Sequence, residues 1–135
     1  MTSTFINPSD LHDPTPFGYS HTAAVAADAR LVFVAGQYGS GPDGAATSPE
    51  FGEQVEQAFA NLGVALAAHG LEFRDVVQLR TYVVGLDFER LGAVSAVVGG
   101  HWPADLPTQT VIGVAGLALP DILFEVEAVA ARTEE

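Results

Sequence analysis

Apolar positions along the chain fall into two periods, and the alternation between them predicts the elements. Phe51, Val55, Phe59, Leu62 and Leu66 recur at helical spacing. They predict an amphipathic helix with Ser48 as N-cap, Pro49 at its first position and a stop at His69-Gly70. Phe88, Leu91, Val94 and Val98 repeat that spacing and predict a second helix, capped by Asp87 and ended by Gly99-Gly100. Elsewhere the period is two. From Val76 to Val84, Val77, Leu79, Thr81 and Val83 face one way and Gln78, Arg80 and Tyr82 the other, as in a half-buried strand.

Pro107 to Ala131 reads as a strand, a Gly/Pro corner and a second strand in which Ile122, Phe124, Val126 and Ala128 alternate with Leu123, Glu125, Glu127 and Val129. Tyr19 to Ala26 and Leu31 to Ala35, separated by a short Ala-Asp-Ala-Arg run, predict a hairpin. Residues 1–15 carry Pro8, Pro14, Asp10 and Asp13 and read as an extended arm, which leaves 16–135 as a single domain. The order ββαβαββ implies an α/β (α+β) fold with two helices on one face of a mixed sheet. The other face then needs a cover, which further copies of the chain would supply.

Composition sharpens that expectation. The 135 residues are 48% hydrophobic and only 16% charged, which is apolar for a small monomer. Seventeen acids against five bases give a net charge of −12 and argue against a nucleic-acid partner. No cysteine is present, so disulfides and thiolate chemistry are excluded. No apolar run reaches membrane-spanning length and the first residues lack the features of a secretion signal, so the expectation is a cytoplasmic protein without a membrane partner. The loop Gly36 to Gly44 is glycine-rich but lacks the Gly-Lys-Ser/Thr ending of a phosphate loop. His12 and His21 have no ligand spacing, so no metal is expected.

Three polar features stand out within apolar runs. Glu125 and Glu127 share one face of a strand, which makes that face either solvated or a site, because a carboxylate among Leu, Phe and Val is costly to bury. Arg80 is the one arginine inside the strand from Val76 to Val84, beside Tyr82 on the polar face. It is either a cation lining a cleft or the partner of Glu125 or Glu127 in a structural ion pair. His101 and Trp102 precede the Pro107 strand and either wall a pocket or pack.

The runs PFGYSHTAAV, LVFVAGQ, EQVEQAFANLGVALAAHGL, DVVQLRTYVV, LDFERL and FEVEAVA, spread in order over residues 16–131, resemble the Rid family, also called YjgF or reactive intermediate deaminase. The resemblance implies a chorismate-mutase-like subunit and a homotrimer whose sheets form an inner barrel, with small-molecule clefts between subunits. It also implies cofactor-free hydrolysis of reactive enamines and imines. Carried over residue by residue, Tyr19 matches the family's cleft tyrosine, Gly36 and Gln37 match its Ser-Gly-Gln motif, and Glu125 matches the glutamate that positions the attacking water. Thr110 would add a backbone amide near the developing charge.

Three positions depart from the family pattern. Pro107-Thr108-Gln109-Thr110 puts Gln109 where active members have the arginine that clamps a substrate carboxylate; Ala35 replaces the motif serine and Gly92 an asparagine. An amide offers one carbonyl and one NH2 and cannot clamp a carboxylate with a cationic fork. The expectation is therefore a small-molecule ligand without the usual carboxylate requirement. Glu125 would be catalytic, and Tyr19, Gln37, Gln109, Thr110, Arg80 and Trp102 would bind substrate. The alternatives are a trimer that binds a metabolite without turnover, or an interaction protein with vestigial clefts.

Overall fold

The computed structural model describes residues 2–134. Its strands are β1 (Ser3–Ile6), β2 (Thr22–Val25), β3 (Arg30–Gln37), β4 (Val76–Val84), β5 (Thr108–Val114) and β6 (Phe124–Arg132), and its helices are α1 (Phe51–Ala67) and α2 (Phe88–His101). β3, β6, β4 and β5 form one sheet in that spatial order. β4 and β5 run parallel and the other pairs antiparallel, so the sheet is mixed.

One face of the sheet is dry. Val32 and Val34 of β3, Leu79 and Val83 of β4, and Phe124, Val126, Ala128 and Ala130 of β6 meet Val55, Phe59, Leu62 and Leu66 of α1 and Val94 and Val98 of α2 in one buried core. Strand alternation and helical period thus meet on the same side, as the apolar pattern requires. The opposite face is open and apolar at its edges: Phe33, 74% exposed, and Leu31 lie on β3, and exposed Ile112 lies on β5 at the far side of the sheet.

Local boundaries moved where side chains found other partners. α1 begins at Phe51 rather than at the expected Pro49, because the Ser48 hydroxyl accepts from the Glu50 amide (3.0 Å) and donates to Glu53 (2.6 Å), holding a turn ahead of the helix. α2 starts as expected, with the Asp87 carboxylate accepting from the Arg90 amide at 2.8 Å. It runs through Gly99-Gly100 to His101, since the Trp102 amide still reaches Val98 O at 3.0 Å.

The expected hairpin between the second and third strands does not form. β2 pairs with β1 in a separate two-stranded sheet, Ser3 opposite Val25 and Ile6 opposite Thr22, so the edge that β3 would have used is occupied by the arm. Nor are the two strands of the Pro107 to Ala131 stretch neighbours, for β4 lies between them. Arg132 ends β6 and forks onto the buried Asp75 carboxylate at 2.7 and 3.1 Å.

Candidate functional site

The residues singled out in the sequence separate into three places. The first is the outer edge of β5, where Ser20 bridges to Thr108 and the Ser20 amide donates to the Pro107 carbonyl at 3.0 Å. Gln109 stands beside Leu79 in the parallel register and therefore points to the helix side of the sheet. There its Oε1 accepts from the Thr81 hydroxyl at 2.8 Å, and its Nε2 donates to Gly18 O at 3.5 Å. Gly18 is left-handed (φ 84°), a conformation other residues rarely adopt, and it closes the 3-10 turn of Thr15–Phe17 that brings Tyr19 to the same edge. Tyr19, Gln109 and Thr110 line a cavity of about 550 Å³, walled by Phe17, Leu91 and Val111 and reached also by His12 and Ser95. That is within the size range of small-molecule sites, and the lining is apolar with a few convergent polar groups. A second concavity of about 680 Å³, bounded by Ala23, Val25, Leu31 and Val129, shares Tyr19, Gln109 and Thr110 with the first.

The second place is the open face of the sheet. Cross-strand register sets Thr110, Arg80 and Glu127 in one row and Ile112, Tyr82 and Glu125 in the next. The ladder of β3 breaks between Val34 and Gln37, leaving a bulge at Ala35-Gly36. Gln37 folds back onto the Ala35 carbonyl at 3.1 Å. Glu125 lies across the bulge: a Cβ at Gly36 would stand 2.1 Å from its Oε2, so glycine is what admits the carboxylate. Burial first, and then the neighbouring Glu127 charge, push Glu125 above the ordinary carboxylate range, toward a proton-exchanging role. Arg80 makes no ion pair among the described residues, although it stands opposite Glu127; the Tyr82 hydroxyl takes that carboxylate instead. The structural ion pair weighed for Arg80 is therefore absent there, and its guanidinium stays on the exposed face.

Trp102 occupies the third place, the core. It is 3% exposed, its indole N–H donates to Phe73 O at 2.7 Å, and its ring packs edge-on against Phe59 and Phe73. It adjoins neither Glu125 nor the cavity of Tyr19 and Gln109. Among the described residues no cluster of His, Asp or Glu is arranged to hold a metal ion.

One residue at the cavity was weighed in the sequence only as a metal ligand. His12 Nε2 lies 2.6 Å from the Tyr19 hydroxyl, and its ring meets those of Phe17 and His21 edge-on at 6.0 and 4.8 Å. Nothing in the spacing of a proline-rich arm announces such a contact, because the fold-back of the arm is set by the turn at Gly18.

A mixed sheet with two helices on one face and a lined cavity at its edge strand is a recurrent α+β subunit. A crystal structure of a Rid-family protein of unknown function from Yersinia pestis, YyfB, superposes with a TM-score of 0.92 at 36% identity, covering 98% of this chain and 100% of that one. Residues 12–132 match the family described as Endoribonuclease L-PSP. Among curated relatives, the RutC family protein YjgH of Escherichia coli is 36% identical over 107 residues, 78% of each chain. The 2-iminobutanoate/2-iminopropanoate deaminase of Rattus norvegicus is 32% identical over 114 residues, 84% of this chain and 80% of that protein. The chain belongs to the Rid (YjgF) family.

Proposed function

We propose that this protein is a homotrimeric, cofactor-free hydrolase of a small reactive imine or enamine, and that its cleft does not depend on a carboxylate clamp. The observation that carries the proposal is the split of the site. Gln109 and Glu125 sit on opposite faces of one sheet, so a cleft that uses both draws Tyr19 and Gln109 from one copy and Glu125 from another. Support for assembly comes from the open face, whose β3 edge exposes Leu31 and Phe33, apolar side chains that a neighbouring sheet would cover. The excess of acid, −12 overall, speaks against a nucleic-acid substrate.

In the proposed reaction, water held by Glu125 adds to the imine carbon and gives a proton to the carboxylate. Glu125 returns that proton to the carbinolamine nitrogen, and as the C–N bond breaks the hydroxyl proton passes to the carboxylate, leaving the carbonyl and ammonia. The Gln109 amide, already tethered to Thr81 and Gly18, presents only a neutral donor at the cavity. A guanidinium in its place would contribute about 2–5 kcal/mol toward a carboxylate.

The test is ammonia release from 2-iminobutanoate and from its neutral amide counterpart, together with the mass in solution. A trimer that turns over the neutral compound, loses that activity in Glu125→Gln and gains at least tenfold on the carboxylated compound in Gln109→Arg is the expected result. Turnover unaffected by Glu125→Gln, or an active monomer, would overturn the proposal. Binding without turnover would leave a metabolite-holding trimer.

A further inference from the structure

The edge cavity contains no arginine or lysine, and among its lining residues His12 alone can carry a positive charge. Its link to the cavity is the 2.6 Å contact with the Tyr19 hydroxyl, whose ring lines the same wall as Gln109. A neutral imidazole with a bare Nε2 accepts the phenolic proton, so the Tyr19 oxygen meets a ligand only as an acceptor. An imidazolium can only donate, which turns the Tyr19 oxygen into its acceptor and frees the phenolic O–H to point at a ligand.

We propose that His12 is the specificity-determining residue of this cleft: when protonated it gives the cavity its positive charge and makes Tyr19 a donor, so that small oxo-acid carboxylates bind more tightly in that state. The proposal rests on the reading of this cavity as the ligand cleft. It accounts for how a site with Gln109 in it keeps a conditional affinity for acids. The titratable groups facing His12 are few. Tyr19 is its partner, and His21 stacks edge-on, with its own Nε2 2.8 Å from the His12 carbonyl. The adjacent Asp13 carboxyl is held below its usual range by the Thr15 hydroxyl and amide, with His12 a smaller contributor. Leu91, Ser95, Val111 and Thr110, the lining from α2 and β5, bring no charge.

The probes are 2-oxobutanoate and 2-oxobutanamide, the same skeleton with and without the charge, titrated calorimetrically against the full-length assembly at pH 5.5 and 8.0. A histidine ordinarily changes charge between these values. Wild type is expected to bind the acid about ten- to hundredfold more tightly at the lower pH, the effect of one charge-assisted hydrogen bond, and to bind the amide equally at both. His12→Gln should abolish the pH dependence for the acid, whereas His21→Gln should preserve it.

Preference for the acid at low pH that survives His12→Gln overturns the inference, as does its absence from wild type. If His12→Gln is silent while Tyr19→Phe and Gln109→Arg still alter binding, His12 is excluded and the cleft stands. If neither probe binds wild type or Gln109→Arg, the cleft itself falls and the inference with it.

Discussion

Gln54 is the residue whose loss should reach the site from farthest away. It is fully buried in the first turn of α1, and its side chain serves three backbone groups outside that helix. Nε2 donates to Ser48 O and Asp121 O, both at 3.0 Å, and Oε1 accepts from the Leu123 amide at 2.9 Å. Leu123 directly precedes β6, two residues before Glu125. Gln54→Leu keeps the volume and removes every one of these bonds.

A buried group left without its partner costs about 1–3 kcal/mol. All three bonds are part-buried, so the freed groups can partly recover water, which puts each toward the low end. The sum is roughly 3–5 kcal/mol, offset by about 1–2 kcal/mol from burying leucine in place of an amide. A net loss of about 1–4 kcal/mol follows, or a fall in Tm of roughly 3–20 °C for a chain of this length. Urea unfolding at fixed protein concentration measures the loss, and hydrogen exchange at the Leu123 amide locates it. A change below about 0.5 kcal/mol with unaltered exchange at Leu123 would refute the assignment of these bonds as a tie between α1 and β6.

Two further outcomes are expected. Gly36→Ala should force the Glu125 carboxylate off the bulge, since the new Cβ would lie 2.1 Å from its Oε2. The clash reaches back to the Glu125 Cγ at 2.9 Å, so the whole side chain must swing aside: stability should fall by about 1–3 kcal/mol and imine hydrolysis at least tenfold; an unchanged Glu125 titration would contradict this. Glu125 should also mark the pH dependence of stability. Its pKa is raised on folding by burial and by Glu127, so its contribution is fully present below the unfolded value near 4.5 and is lost as pH rises through the folded value. Wild type should therefore lose ground to Glu125→Gln as pH climbs from 4 to 8, measured as the difference in urea midpoints, and a flat or opposite trend would exclude the shift.

Periodicity placed both helices and the long strands to within a few residues, because alternation and helical repeat are properties of neighbours along the chain. That Glu125 and Glu127 share one face of their strand, and Arg80 and Tyr82 one face of theirs, was legible for the same reason. Partnership was not. The separation of β5 from β6 by β4, the capture of β2 by the arm, the retreat of Trp102 into the core and the loss of Glu127 to Tyr82 rather than Arg80 all depend on residues far apart in sequence.

The candidate cavity divides along the same line. Tyr19 and Gln109 were found from local runs of sequence, yet the turn at Gly18 that joins them, and the fold-back that sets His12 on the Tyr19 hydroxyl, leave no periodic trace. The chain by itself determined which residues are apolar and at what spacing, and hence its class of fold. Only the tertiary structure decided that Gln109 and Glu125 lie on opposite faces, because a strand's register with its neighbours, and not its own alternation, settles which side of the sheet each residue occupies.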